Sequence, residues 1–213
     1  MNYINTHTHS SNTPRDIYNV IVGKDVVPKA FFSAGIHPWF ITEVEAQFQV
    51  LSELAKKPKC LAIGECGLDK LCVIPFELQM DVFKRQIELA EELQKPLIIH
   101  CVKAYNELLK IKKASKTAIP WIIHGFNQKE EIAEQLLAQG FYFSLGKALL
   151  NPASNASKWV QKVPIERLLL ETDDAEIAIE QIYKVAASTI NLSESELVSN
   201  LQLNCKIVFG IVI

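Results

Sequence analysis

Two of the chain's five histidines, His7 and His9, stand one residue apart in the opening run "MNYINTHTHS". Alternate positions of an extended chain share a face, and two imidazoles at that spacing can grip a single ion. His100 and His124 end a repeated phrase, "PLIIHC" at 96–101 and "PWIIHG" at 120–125, in which proline opens the run and isoleucine fills it. Glu65 closes the apolar run "CLAIGE", and Asp173 closes "RLLLETD". A carboxylate behind such a run is costly to bury unless it meets a cation or a metal. Glu171, Asp173 and Asp174 also crowd together, and they repel unless solvent or positive charge intervenes. Taken singly, each feature has a plain reading: a solvated pair, a core histidine with a partner, an acidic loop. As a set, four imidazoles and two carboxylates suit a pair of divalent ions roughly 3.5–4 Å apart, with one carboxylate bridging. Such a donor set fits Zn, Mn, Fe, Co or Ni and excludes a soft thiolate site. Ions so placed lower the pKa of water and steady both oxygens of an in-line displacement, which is hydrolysis, most naturally at phosphorus.

These residues are spread along the whole chain, so a fold must gather them. Short β-rich runs ("MNYINTH", "VIV", "FFSAGIH", "CLAIGE", "PLIIHC", "PWIIHG", "FYFSLG", "RLLLETD") alternate with amphipathic stretches. Most are continuously apolar, as parallel strands covered on both faces are. Thr42 to Glu45 and Ser193 to Glu196 have the form of capping boxes opening helices. Asn127 is placed to cap "QKEEIAEQLLAQ" and Gly140 to end it, and "FELQMDVFKRQIELAEELQK" stops before Pro96. Strand–helix alternation implies a parallel sheet with right-handed crossovers. Closed into a barrel, such a sheet brings every strand's C-terminal end to one rim, where its chemistry sits.

A single domain spanning 1–213 is the expectation for 213 residues. A (β/α) barrel typically needs about 250 residues, with 200 near its lower bound. "SSNTPRDIYNVIVGKDVVPKA" shows no helical period, so the expected fold is a shortened α/β TIM-like barrel, open or distorted, with seven to eight parallel strands. A net charge of −2 and a pI near 6.2 provide no overall field for a polyanion. No run approaches the roughly 18 apolar residues of a membrane span, and no signal peptide is evident. Five cysteines without a C-x-x-C pair argue for reduced thiols in a cytoplasmic protein rather than disulfides or a zinc site. The apolar tail "KIVFGIVI" reads as a last helical turn with a terminal strand, or as a surface for self-association.

"THTH", "AGIHPW" at 34–39, "AIGECGLD" at 62–69, "FKRQIELAEELQKPLIIH", "IIHGF", "VPIERLLLETD" at 163–173 and "NCKIVFG" occur in an order that resembles the TatD-type family of metal-dependent deoxyribonucleases, within the amidohydrolase-like barrels. The resemblance implies that His7, His9 and Asp173 hold one ion and His100 and His124 the other, with Glu65 bridging. It also implies hydrolysis of nucleic-acid phosphodiesters, often by exonucleases assisted by Mg or another divalent ion. Asp173, which would take the proton from the attacking water, and Glu65 are the catalytic candidates. His37 matches a rim position that is not usually a ligand, facing a ligand or substrate, or shaping a turn.

The departures bear on substrate. Asn5 stands where the family commonly has Asp, and Val102, with Lys103 beside it, where it commonly has Arg. Asp174-Ala175 replaces a small residue and proline, and the basic, proline-rich loop that normally follows is missing. Lys103, Lys147 and Asn127 are the remaining candidates for phosphate or substrate contacts on the rim. Three readings are carried forward: a phosphodiesterase acting on nucleic acid, a hydrolase of small C–N or C–O substrates, and a non-catalytic scaffold.

Overall fold

A computed structural model describes residues 1–10 and 13–211 of the chain. Eight strands lie side by side in sequence order. They are β1 (Asn5–Thr8), β2 (Asp16–Ile21), β3 (Phe32–Gly35), β4 (Cys60–Asp69), β5 (Leu97–Val102), β6 (Trp121–Ile123), β7 (Tyr142–Leu145) and β8 (Leu168–Leu170). Every adjacent pair is parallel. A single parallel bridge between Thr8 and Asp173 joins the two ends of the sheet. There His9 N donates to Asp173 O and Asp173 N donates to His7 O, each at 3.0 Å. Asn5 strengthens this seam from just below: its Nδ2 donates to Thr172 Oγ1 at 2.8 Å and its Oδ1 accepts from Thr172 N at 3.0 Å. The sheet is therefore a nearly closed barrel of eight parallel strands, as expected for a shortened TIM-like fold.

Each apolar run forms a strand because its residues are buried on both sides. One residue or more from nearly every strand packs into an inner layer: Ile4, Ile17, Ala62, Ile98, Ile122, Tyr142 and Leu169. Cys205, Val208 and Phe209 of the last helix belong to the same cluster and plug this end of the barrel. Val208 and Phe209 of the tail are thus buried, whereas Ile207 faces outward. Its final two residues, with any terminal strand, lie outside the described residues. A larger outer core separates the strands from the helices, with Trp121 edge-on to both Phe83 and Phe141.

The helices are α1 (Val44–Ala55), α2 (Phe76–Glu92), α3 (Tyr105–Ser115), α4 (Glu130–Ala138), α5 (Asn155–Trp159), α6 (Ile179–Thr189) and α7 (Glu194–Phe209). Among the described residues none lies between β1 and β2 or between β2 and β3, as the missing helical period implied. Ser193 and Glu196 form the expected capping box on α7. The one expected at Thr42 does not form: Glu43 is the cap residue, and Thr42 N donates to the buried Gln47 Oε1 at 2.9 Å. Gln47 reaches back one turn and meets the need a capping side chain would have met. Asn127 likewise does not cap α4, which starts behind Lys129; its Oδ1 accepts from Ala156 N in α5 at 3.0 Å. No helix of the described residues is long and apolar enough to cross a membrane.

Candidate metal centre

The strand register is irregular at two of the places where the candidate ligands sit. Against β2, β1 shifts between Asn5 and Thr8; against β5, β4 shifts between Ile63 and Cys66. Bulges of this kind re-aim side chains, and these flank His7 and Glu65. Two glycines allow β4 to lie unusually close to β5. A Cβ on Gly64 would collide with Ile98, and one on Gly67 with the carbonyl of His100.

The result is that all five histidines of the chain converge on one carboxylate. Glu65 Oε1 lies 2.8 Å from His100 Nδ1, 2.8 Å from His124 Nε2 and 3.2 Å from His37 Nε2. Glu65 Oε2 lies 3.4 Å from His7 Nε2 and 3.6 Å from His9 Nε2. Asp173 Oδ1 stands 3.6 Å from His7 Nε2 and 3.5 Å from His9 Nε2. Three overlapping groups therefore offer ligand atoms within 4.8 Å of one another: His7, Glu65 and His124; His7, His9 and Asp173; His37, Glu65 and His100. Asp173 holds its place with φ near +55°, a left-handed conformation that Asp tolerates better than most residues.

His37 differs from the other four. Its Nδ1 accepts from Trp39 N at 3.1 Å, which leaves the proton on Nε2, pointing at Glu65. Burial lowers its pKa and keeps the ring neutral. It is a hydrogen-bond donor to Glu65. His100 instead faces Glu65 with Nδ1 and has Asp69 Oδ2 3.1 Å from Nε2; Asp69 also accepts from Trp39 Nε1 at 2.6 Å. His124 Nδ1 faces Glu171 Oε1 at 3.5 Å, and the same oxygen accepts from Gly125 N at 2.7 Å. Carboxylates behind histidines in this way fix ring orientation and raise ligand basicity. Asn19 completes the support, accepting from Glu65 N at 2.8 Å and donating to Glu65 Oε2 at 3.3 Å.

The charges are strongly coupled. Burial disfavours the ionised form of Glu65, yet His124, His100 and His37 hold its carboxyl well below the usual carboxylate range. Burial also acts against protonation of His7, and so does His124, but Asp173 and Glu65 outweigh both and raise its pKa to about 9. For Asp173, burial is again overcome, here by His7 and His124, and its pKa falls to about 2. Both ring nitrogens of His7 are buried without a hydrogen-bond partner. Buried polar atoms are seldom left so, and a cation is what an imidazole facing two carboxylates is suited to hold.

The centre opens into a cleft of about 400 Å³ lined by His9, Glu65, His100, His124, Asp173 and Asp174 together with His37, Ile21, Lys24, Trp39 and Phe40. Of the four substrate-contact candidates, only His37 is part of that lining. Lys103 is exposed with φ near +56°, on the turn after β5. Lys147 pairs with Asp174 at 2.5 Å, and Asn127 is tied to α5. Sequence reasoning passed over Asp69, Asn19, Lys24 and Trp39. The spacing Glu65, Gly67, Asp69 in one strand was a signal for Asp69, since alternate residues share a face; Asn19 and Lys24 had none.

Comparison with known proteins adds an independent finding. The chain matches the TatD related DNase family over residues 4–210. It is 35% identical over 164 residues to the human 3'-5' RNA nuclease TATDN2, covering 74% of this chain and 21% of that protein. It is 34% identical over 147 residues to an uncharacterized metal-dependent hydrolase, YabD, of Bacillus subtilis, covering 67% of this chain and 58% of that one. A 3'-5' ssDNA/RNA exonuclease TatD of Erwinia billingiae is 32% identical over 146 residues, covering 66% of this chain and 56% of that one. The chain thus spans little more than half the length of these bacterial relatives. Among solved structures, the TatD homolog YJJV of Escherichia coli superposes with a TM-score of 0.78 at 22% identity, covering 92% of this chain and 86% of that one, which supports the barrel. With the family matched over nearly the whole chain, and the family's six expected positions gathered on one rim, the chain belongs to the TatD-related DNase family.

Proposed function

We propose that this chain is a metal-dependent phosphodiesterase that acts on nucleic acid, with His7, His9 and Asp173 holding one divalent ion, His100 and His124 a second, and Glu65 shared between them. The observation that carries the reading is the convergence of all five imidazoles on the Glu65 carboxylate, together with the two unpartnered nitrogens of His7. When bound, a pair of such ions would supply an activated water and charge stabilisation at phosphorus; Zn, Mn, Fe, Co and Ni suit the donors, and Mg is added by the resemblance. The chain's own residues do the rest. Asp69 and Glu171 hold the rings of His100 and His124 in orientation, and His37 and Asn19 hold Glu65. Asp173 Oδ1, partly exposed in the cleft, is placed to receive a proton from water. Names given to relatives, a 3'-5' RNA nuclease and a 3'-5' ssDNA/RNA exonuclease, support nucleic acid as the substrate class.

Two observations favour a second reading, hydrolysis of a small C–N or C–O substrate. Val102 occupies the place of the family's arginine, and Lys147 is neutralised by Asp174. Five unpaired thiols support a reducing, cytoplasmic setting, and the one eight-stranded sheet supports a single domain over 1–213. The test is elemental analysis of purified protein, then assays with the recovered ions restored. Near two ions per chain and shortening of single-stranded DNA are expected, both lost in Glu65→Ala and His100→Ala. Turnover of lactones or cyclic amides with no action on any phosphodiester would instead favour the second reading. Cleavage by a metal-free preparation would defeat the first.

A further inference from the structure

The cleft beside the metal-competent residues holds an unusual pair of side chains. Trp39 is 54% exposed, yet its indole is not free to move. Its Nε1 donates to the buried Asp69 at 2.6 Å, its ring stands edge-on to His37 at 5.3 Å, and His100 lies 6.0 Å away. A large apolar surface anchored by its one polar atom and left bare to solvent lacks a structural purpose in the free protein, and it forms a wall of the same cleft as Glu65, His124 and Asp173. Lys24 is the second member. Its ammonium sits 4.4 Å over the Phe40 ring, lines the same cleft, and has no ion pair among the described residues. The rim lysine expected to meet phosphate, Lys147, is instead occupied by Asp174.

A fixed aromatic face and a cation without an ion pair among the described residues, both lining the cleft that opens onto the centre, match the two recognition elements of a single nucleotide. Stacking on an aromatic ring accepts any base, and a lysine supplies a point charge to phosphate. Building on the function proposed above, we infer that Trp39 is a stacking platform for an unpaired nucleobase and Lys24 a contact for its adjoining phosphate. A paired base within a duplex presents no open face to Trp39.

The other two tryptophans, Trp121 and Trp159, are buried, so quenching by iodide reports on Trp39 alone. Metal-loaded protein is titrated with a phosphorothioate decathymidylate, which resists cleavage, and with an abasic oligomer of the same length. The thymidylate is expected to shield Trp39 from iodide and the abasic oligomer to shield it far less; equal shielding by both overturns the platform. Trp39→Ala is expected to weaken thymidylate binding roughly 5- to 150-fold, the range spanned by base–aromatic stacking. Trp39→Phe, which keeps the face and loses the indole N–H, restores most of it. Lys24→Gln weakens both oligomers and reduces the slope of affinity against salt. In steady-state assays Trp39→Ala raises KM for single-stranded DNA more than for methyl p-nitrophenyl phosphate, which has no base; equal losses on both would mean that Trp39 acts only by supporting Asp69 and His100. Failure of the proposed hydrolysis reads differently: no turnover of either phosphodiester, with shielding by thymidylate intact.

Discussion

His7 shows most directly how a single residue is governed by its surroundings. An imidazole with both nitrogens buried and unpartnered is unfavourable in a neutral pocket, but here two carboxylates face it and raise its pKa to about 9. The raised value means that the metal-free protein carries a proton on His7 across the range from its ordinary 6.5 up to about 9, and that this charge stabilises the fold fully below that range and less as pH rises through it. A metal takes the neutral ring, so binding must expel the proton. Calorimetry at pH 7.5 in phosphate and in Tris should therefore give apparent binding enthalpies that differ in proportion to buffer ionisation, and identical enthalpies would contradict the expectation. Glu171 tests the support behind a ligand. It is fully buried, its carboxylate accepting from Gly125 N, with His124 Nδ1 3.5 Å away. Glu171→Gln should weaken metal affinity by about 10- to 100-fold in chelator competition, with the thermal transition of the metal-loaded protein still cooperative.

At the scale of elements, β4 is where local sequence and distant register meet. The run "CLAIGECGLD" is apolar enough to be a strand and carries its carboxylates at Glu65 and Asp69, but its glycines are set by what lies beside it. Gly67 has φ near +142°, and any Cβ there would run into the backbone of β5 at His100. Gly67→Ala should lower stability by about 1–3 kcal/mol through this strain and, by displacing His100, lower metal content as well. Denaturant unfolding together with elemental analysis would read both effects; a stable variant with full metal content would refute the argument. The strands and most helix ends were legible because burial on two faces and amphipathic period are local properties. The caps at Thr42 and Asn127 were not, because Gln47 and the start of α5 compete for the same backbone and side-chain groups.

For the whole molecule, the last helix is as much part of the barrel as any strand. Phe209, with Cys205 and Val208, fills the end of the barrel opposite the chemistry. Phe209→Ala should cost about 3–5 kcal/mol in equilibrium unfolding while leaving the distances around Glu65 intact; a change below 1 kcal/mol would mean that the inner layer closes without α7. At the opposite rim the seam between β1 and β8 is a single bridge reinforced by Asn5 and Thr172, and the proposed ligands His7, His9 and Asp173 lie directly on it. Closing the barrel therefore brings these three side chains together.

The amino-acid sequence determined which side chains could carry the chemistry, because residue type and the hydrophobic run before each are readable within a few positions; it did not determine where the strands end, since Glu65 and His100 lie inside β4 and β5. It also carried the family, through ordered motifs that need no geometry. Only the tertiary structure decided that Asn19, Asp69 and Glu171 stand against the proposed ligands, that Lys24 and Trp39 rather than Lys103, Asn127 or Lys147 line the cleft, and that Val208 and Phe209 turn inward. Those outcomes depend on cross-strand register, on two bulges and on backbone approach between neighbouring strands. They are long-range properties that no local pattern encodes.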